Sequence, residues 1–401
     1  MSDPEPDPAV PAGMSRRAVL MTAAGALGIG GAVTAVLLGS ELSSEGSAHT
    51  APIRPSSAPA SMPSPMPTAS SPLPSPSVLP QSALRASFKG YSDQVAFRPD
   101  GRTVAVARHG TGNVDLLEAD TGRLVRTISV PGMFRGSSLS FSPDGRSLAA
   151  GGDPPTLWDV DTGRLVRTFS DTRPEDSFVQ AVALSPDGRI LAIGGQGDKA
   201  FVEFRAVDSG RTLGTATVGG PASTVFGLSF SPDGTSLAVS AGPPVTLVTV
   251  PNAAVTATLG PESARAVFST DGKNIFTDGT PYIHPVIQRN AAGAEATSLP
   301  LQPGVGAVDA LAVSPDGGTL AVVGDMGLGK GLVGAVWLWD IAHGRTAKFI
   351  SLGSDNVPGD PLPPMIGALA FSPDSKTLAV TSTHAGAAYD RDAVLQMWEV
   401  G

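Results

Sequence analysis

Short runs of alternating hydrophobic and polar residues recur along the chain from Ala83 onward, separated by turn sequences. In one example, the runs 139–141 and 147–150 flank a Ser-Pro-Asp-Gly turn at residues 142–145. Proline fixes φ at the second turn position, aspartate bonds its own backbone, and glycine adopts the left-handed conformation that closes the turn. A turn of this kind between two strand-like runs predicts a β-hairpin.

The turn recurs seven times, which indicates a repeat protein. The copies end at Gly101, Gly145, Gly188, Gly234, Gly272, Gly317 and Ser375, so the spacings are 44, 43, 46, 38, 45 and 58 residues. After each hairpin come a second apolar run, a second turn such as Asp161–Arg164, and a third run; in the fourth and fifth units this second turn is degenerate, around Asn252 and Gly293. Four short strands in each unit of about 40–45 residues predict a β-propeller.

Strand counting predicts how the ring closes. The last unit ends at its third strand, near Trp398, and so lacks an outer strand. The segment Ala83–Phe88 matches the third run of the other units and precedes the first turn. We therefore predict an all-β fold over residues 83–401. It is a seven-bladed β-propeller of four-stranded antiparallel blades, its ring closed by an N-terminal strand in the last blade.

The units resemble WD40-type repeats over residues 83–401. The Trp-Asp pair stands at Trp158-Asp159 and Trp339-Asp340, with a Trp398-Glu399 variant. The Gly-His dipeptide that opens such repeats is absent, and Leu117-Glu118 replaces the Trp-Asp pair in the first unit. The polar network of that family is therefore not carried over, and the turns are equally similar to related propeller repeats of bacterial envelope proteins. Both resemblances imply the same architecture.

The first residues predict export. Residues 1–17 form a polar region with the pair Arg16-Arg17, and residues 18–38 are 21 residues without a charge. The arginine pair resembles a twin-arginine signal, although Val19 and Met21 depart from the family's Phe and Lys. As a helix, the apolar segment would be ~31 Å long, enough to cross a bilayer. It is therefore either a cleaved signal, with a weak site before His49, or a membrane anchor.

Residues 39–82 are predicted to be a disordered linker. Between Ala51 and Pro80, ten of thirty residues are proline and eight are serine. Such a composition forms neither a helix nor a ladder, and when extended it reaches up to ~90 Å. We therefore expect an extracytoplasmic protein, either secreted or tethered, that touches the membrane only through residues 18–38.

Composition excludes several functions. The chain has 27 basic and 36 acidic residues, a net charge of −9, and no cysteine. Cysteine nucleophiles, disulfides and cysteine-ligated metals are therefore ruled out. An acidic chain is also a poor match to nucleic-acid backbones, so no nucleic-acid partner is predicted.

The sequence contains no catalytic motif in the context that such a motif requires. Residues 324–330 fit the spacing of a phosphate-binding loop, but Gly331 stands where Ser or Thr should bind magnesium, and a strand follows instead of a helix. His284 and His343 are explained by packing and by a solvated turn. We therefore predict no catalytic residues, no metal site and no cofactor.

Three long loops, at 324–334, 353–364 and 383–392, belong to the sixth and seventh units. They are expected on the same propeller face as the loop at 109, because the seventh and first blades are neighbours in a closed ring. Long loops on a rigid scaffold often carry function. The candidate binding face consists of His109, Asp325, Lys330, Asp355, Asp360, His384, Tyr389, Asp390, Arg391 and Asp392.

The sequence thus favours a monomeric, exported or anchored, non-catalytic binding module that recognises a protein, peptide or cell-envelope ligand on this face. The alternative is an envelope enzyme on the same face, either a carboxylate-assisted hydrolase or a cofactor-dependent oxidoreductase. Several carboxylates near two histidines would bind a divalent cation in that case. Convergence of these side chains around one cavity would separate the two hypotheses.

Overall fold

The structure of the protein is a computed structural model. It describes residues 76–108, 110–133, 136–170, 177–221, 223–279, 286–294, 296–299, 301, 305–327, 332–352, 365–383 and 394–401. The predicted export segment, residues 18–38, and the linker up to residue 75 lie outside the described residues. Within the described ranges, no helix is long and apolar enough to span a membrane.

Seven antiparallel sheets follow one another along the chain, each with its first strand innermost. Blade one consists of β3 (Tyr91–Phe97), β4 (Thr103–Arg108), β5 (Asn113–Glu118) and β6 (Leu124–Ser129). Blade two consists of β7 (Leu139–Phe141), β8 (Ser147–Ala150), β9 (Thr156–Asp159) and β10 (Leu165–Thr168). Blade three consists of β11 (Phe178–Leu184), β12 (Ile190–Gln196), β13 (Lys199–Ala206) and β14 (Thr212–Pro221).

The remaining blades follow the same order. Blade four consists of β15 (Gly227–Phe230), β16 (Ser236–Ser240), β17 (Val245–Thr249) and β18 (Val255–Leu259). Blade five consists of β19 (Ala266–Phe268), β20 (Asn274–Asp278), β21 (Val286–Asn290) and β22 (Ala296–Ser298). Blade six consists of β23 (Val305–Val313), β24 (Thr319–Gly327), β25 (Leu332–Asp340) and β26 (Arg345–Ser351). Blade seven consists of β27 (Met365–Phe371), β28 (Thr377–Thr383), β29 (Val394–Glu399) and β2 (Leu84–Lys89).

The ring is closed, as the repeat count predicts. Every inner strand contacts the inner strand of the next blade, and β27 of blade seven contacts β3 of blade one. Strand β2 completes blade seven by pairing antiparallel with β29, in a register that runs from Leu84 opposite Trp398 to Lys89 opposite Val394. The predicted closing strand and the seven-bladed fold are both confirmed.

One strand lies outside the prediction. Strand β1 (Ser77–Val78) pairs in parallel with β26 and adds a fifth strand to blade six. The backbone N–H of Leu79 then donates to the carbonyl of Phe349 over 2.8 Å, and a 3-10 turn at Gln81–Ala83 leads into β2. The propeller is predicted to begin at Ala83, because the alternating pattern starts there. A strand of two residues, such as β1, is too short to show any period.

The seven Ser-Pro-Asp-Gly-type turns form a ring at one end of the blades, which we call the turn face. In six of them, the serine hydroxyl donates to the aspartate Oδ1 over 2.5–2.6 Å. The same oxygen accepts the backbone N–H two residues later. Each glycine lies against the preceding blade's turn: a Cβ on Gly188, whose φ is +71°, would lie 3.2 Å from Pro143 Cδ. These interlocked turns fix the spacing of neighbouring blades.

The hydrophobic core lies between the blades rather than in one centre. Each cluster combines strands of two neighbouring blades; one contains Leu378 and Trp398 of blade seven with Val336 and Leu338 of blade six. In the described structure, the inner strand of each blade has no strand on its inner side. Serine hydroxyls of one inner strand accept some of the backbone N–H groups of the next blade's inner strand. Ser140 Oγ accepts the N–H of Leu184 in the next blade over 3.0 Å. Apolar packing and these hydrogen bonds therefore join each blade to its neighbours.

Candidate functional site

The blade end opposite the turn face is where the second strand of each blade ends and the third begins, and we call it the loop face. Nine of the ten predicted site residues lie outside the described residues: His109, Lys330, Asp355, Asp360, His384, Tyr389, Asp390, Arg391 and Asp392. For Asp325 the backbone is described, within β24, but the side chain is not. The described structure therefore does not test whether these ten side chains converge.

The strands that flank those positions can be placed. β4 ends at Arg108, β24 ends at Gly327 and β28 ends at Thr383, all on the loop face of adjacent blades one, six and seven. The predicted loop at 324–334 is shorter than expected. Gly327 pairs with Leu332, so β24 and β25 extend into it and Asp325 lies in a strand. The glycines in this segment led to the prediction of a loop, because glycine has no side chain and so contributes nothing to the hydrophobic alternation by which a strand is recognised.

A polar cluster occupies the described part of this face in blade one. Asp115, on β5, is fully buried. Its Oδ2 accepts hydrogen bonds from the Tyr91 hydroxyl over 2.8 Å and from an Nη2–H of Arg108, and its Oδ1 accepts one from the Thr127 hydroxyl over 2.6 Å. The four residues come from the four strands of the blade, so a single buried carboxylate ties the whole sheet together at its loop-face end.

The electrostatics of the cluster follow from this buried carboxylate. The hydrogen bond to Asp115 raises the pKa of the Arg108 guanidinium, which is therefore permanently charged. Burial and then the hydrogen bond to Asp115 raise the pKa of the Tyr91 hydroxyl, which stays protonated. The Arg108 guanidinium lies 6.0 Å from the centroid of the Tyr91 ring, and its side chain remains 40% exposed. Blade one thus presents a fixed cation to solvent.

The equivalent position in blades two and seven has a different role. By strand register, Asp115 corresponds to Thr156 in blade two and Gln396 in blade seven. Thr156 accepts the indole N–H of Trp158 over 2.8 Å, and Gln396 accepts that of Trp398 over 3.2 Å. These acceptors satisfy a buried tryptophan donor within their own strand.

Blades one and three lack that tryptophan and carry a carboxylate instead. In blade three, Arg205 occupies the tryptophan position, and its Nε lies 2.7 Å from Glu203 Oε1 in a buried pair. In blade one, Leu117 occupies that position and has no side-chain donor. The Asp115 carboxylate therefore bonds to Arg108 and Tyr91, which lie at the loop-face end of their strands. In blades two, three and seven the side chain at this register position interacts with a residue of its own strand. In blade one it bonds instead to two residues at the loop-face ends of other strands.

A second polar cluster lies on the loop face between blades four and five. Asp278 ends β20, and its Oδ1 accepts the backbone N–H groups of Ala264 and Arg265, each over 2.7 Å. Burial raises the pKa of this carboxyl, with the backbone hydrogen bonds acting in the opposite direction. The Arg265 guanidinium stacks 5.2 Å from the centroid of the Phe226 ring. These contacts fix the connection between the two blades.

Two grooves lie on the turn face. One, of about 260 Å³, lies between the turns of blades three and four, and another, of about 320 Å³, lies between those of blades two and three. Both are lined mainly by the Ser-Pro-Asp-Gly residues that interlock the blades. Among the side chains that the structure describes, no group of three or more His, Asp or Glu residues is placed to hold a metal ion.

Sequence reasoning selected His109 but missed its neighbour Arg108, together with Tyr91 and Asp115. The available signal was Asp115 itself, a charge among the apolar residues Val114, Leu116 and Leu117 of β5. Its partners could not be read from spacing, since they lie 7 and 24 residues away on other strands.

Comparison with known proteins adds no family. No protein-family model matches the chain, and no curated protein shows significant similarity to it. What the molecule defines by itself is its class, a seven-bladed β-propeller built from repeats similar to the WD40 type.

Proposed function

We propose that this protein is an exported, non-catalytic binding module that recognises a protein, peptide or envelope ligand on the loop face of blades six, seven and one. The observation that carries the proposal is the Arg108–Tyr91–Asp115 cluster. It holds a charged side chain in a fixed, half-exposed position at the edge of this face. His109 follows Arg108 directly in the sequence, so the cluster borders the predicted loop residues.

Binding is favoured over catalysis by the way the cluster uses its carboxylate. Asp115 is fully buried and accepts three hydrogen bonds, so its oxygens are engaged in holding Arg108 and Tyr91. A general acid or base must instead reach the proton that it transfers. Arg108 offers hydrogen-bond donors and Tyr91 offers an aromatic ring, and both kinds of group are used to recognise ligands.

We further propose that the repeats belong to the WD40-type family and that Arg16-Arg17 direct twin-arginine export. In this proposal residues 18–38 serve as signal or anchor. The Trp-Asp pairs and the seven-bladed fold support the first point. The second rests on the arginine pair, the uncharged segment and the proline-rich linker.

Photo-crosslinking tests the binding face. The photoreactive residue p-benzoylphenylalanine replaces Tyr389 in one variant and Lys273, an 81% exposed side chain on the turn face, in a matched control. Irradiation of cell envelopes should give a discrete protein or peptide adduct from position 389 and none from position 273. Adducts of equal yield at both positions, or none at 389, would contradict the proposed face.

Export is tested separately. Changing Arg16 and Arg17 together to Lys should leave the full-length chain in the cytoplasm, measured by fractionation and immunoblotting. A matched Arg85→Lys, Arg102→Lys variant controls for the loss of two arginines elsewhere. Normal translocation of the Arg16→Lys, Arg17→Lys variant would reject the twin-arginine route.

A further inference from the structure

We propose that Arg108 binds a carboxylate of the ligand, which makes the loop face a site for an acidic side chain or a free C-terminus of a peptide. This inference rests on the binding function proposed above and names the chemistry of its ligand. The guanidinium of Arg108 is bound to a buried carboxylate, while the Arg108 side chain remains 40% exposed.

The geometry fixes the guanidinium before any ligand arrives. Asp115 Oδ2 accepts an Nη2–H of Arg108, and the Tyr91 ring lies beside the guanidinium. Tyr91 and Arg108 are directly opposite each other in the ladder between β3 and β4. Within the described residues, Asp115 and Tyr91 are the contacts of this guanidinium. The side chain is 40% exposed, and of the five N–H donors of a guanidinium this contact with Asp115 uses one.

A carboxylate is the ligand group that matches this arrangement. The guanidinium is planar and presents parallel N–H donors that pair with both oxygens of a planar carboxylate. Because Asp115 and Tyr91 already restrict its rotamers, less side-chain entropy is lost when the ligand binds.

The charge of Asp115 opposes ligand binding but does not cancel it. A ligand carboxylate on the donors that Asp115 does not use would touch the guanidinium directly and would lie farther from Asp115 than from the guanidinium. Coulomb energy falls as 1/r, so the nearer, attractive charge contributes more. The Tyr91 hydroxyl and the Thr127 hydroxyl also donate to Asp115 and spread its charge.

Arginine-selective modification tests the proposal on the full-length protein. Phenylglyoxal modification rates of Arg108 and of Arg146, an exposed turn-face arginine, are measured by peptide mass spectrometry at constant ionic strength. The probe is acetyl-trialanine with a free carboxyl group, and the matched control is the same peptide as its amide. The carboxyl peptide should slow modification of Arg108 several-fold and leave Arg146 unchanged, whereas the amide should protect neither.

Two variants test whether Asp115 orients the cation. Asp115→Asn should abolish the protection of Arg108, and Tyr91→Phe, which keeps the ring and removes one hydrogen bond, should weaken it. If Asp115→Asn fails to fold, as judged by circular dichroism, Tyr91→Phe supplies the test. Unchanged protection in a folded variant would overturn the positioning role.

The outcomes also separate the ligand classes and the two proposals. Protection by the amide equal to that by the carboxyl peptide, or stronger protection by inorganic phosphate, would overturn the carboxylate assignment. An adduct at position 389 without protection at Arg108 would reject this inference and leave the binding function standing. Protection of Arg108 without any adduct would support the carboxylate site and contradict the extension of the binding face to position 389.

Discussion

Removing strand β2 tests how the propeller ring is held closed. Three shortened chains are compared, starting at Ser75, at Gln81 and at Tyr91. The first keeps both β1 and β2, the second loses β1, and the third loses both strands. In the third chain, β29 becomes an open sheet edge with unpaired backbone groups, because β2 is its outer neighbour.

The expected loss follows from the contacts of β2. About five ladder hydrogen bonds contribute ~5 kcal/mol. Leu84 and Phe88 are half-buried, and their removal uncovers Met397 and Trp398, which are 2% exposed. Burial of these four side chains adds ~7 kcal/mol. Ordering the six residues of β2 costs about 9 kcal/mol at ~1.5 kcal/mol each. The net loss is therefore about 3 kcal/mol.

Losing β1 should matter much less. This strand is two residues long, and Val78 is 57% exposed. Its main contributions are a short parallel ladder and the bond from the Leu79 N–H to the Phe349 carbonyl. With the ordering cost subtracted, we expect less than ~1 kcal/mol.

Thermal and urea unfolding measure the difference. The chain starting at Tyr91 should melt about 5 °C below the one starting at Gln81, which should melt close to the one starting at Ser75. Tryptophan emission gives an independent local signal, because uncovered Trp398 should shift the native spectrum to the red. Equal melting temperatures and equal spectra for the Gln81 and Tyr91 chains would refute β2 as the closing strand.

Three further predictions concern polar groups in the scaffold. Serine hydroxyls lower the pKa of the turn carboxyls Asp144, Asp187, Asp233, Asp271, Asp316 and Asp374. A lowered folded-state pKa contributes stability above the unfolded pKa near ~4 that is lost as pH falls through the folded pKa, so thermal melts should be level from about pH 8 to 5 and decline below ~4. A midpoint that rises on acidification would contradict this sign. Asp278 has a raised pKa, so Asp278→Asn should raise the melting temperature at pH 7 and lose that advantage as pH falls toward ~4; a lower melting temperature at pH 7 would mean that the attraction to Arg265, whose Nη1 lies 4.0 Å from Asp278 Oδ2, outweighs burial. Thr156→Val removes the acceptor of the buried Trp158 indole N–H and should cost about 1–2 kcal/mol in urea unfolding, compared with an exposed Thr168→Val control; equal losses in both variants would reject that role of the hydroxyl.

The fold could be predicted from the sequence because its determinants are local and repeated. A Ser-Pro-Asp-Gly turn specifies a hairpin without reference to distant residues, and seven copies specify the number of blades. The closing strand was predictable by the same counting, since Ala83–Phe88 resembles the outer strands of other units. β1 was not, because two residues carry no period and their pairing with β26 depends on a partner about 270 residues away.

The candidate site could be predicted less well, because its contacts are not local. The strand ends of blades six, seven and one follow from topology, and β4 ends at Arg108, directly before His109 in the sequence. Predicting the Asp115 cluster would require knowing the register between strands. Alternation does not fix this register, because a shift by two residues leaves every side chain on the same face. The predicted residues of the long loops remain predictions.

The register position of Asp115 has different roles in different blades. Thr156 and Gln396 stand at the same register position and bind a tryptophan N–H, so their role is explained by packing alone. Asp115 stands at that position without a tryptophan, since Leu117 provides no donor. Its charge would destabilise blade one unless a cation compensated it, and the cation comes from the loop-face end of β4. A purely structural solution was available within the blade, as the buried Glu203–Arg205 pair of blade three shows. Blade one instead uses an arginine that stays half-exposed, and this departure from the repeat is the structural feature on which the proposed ligand site rests.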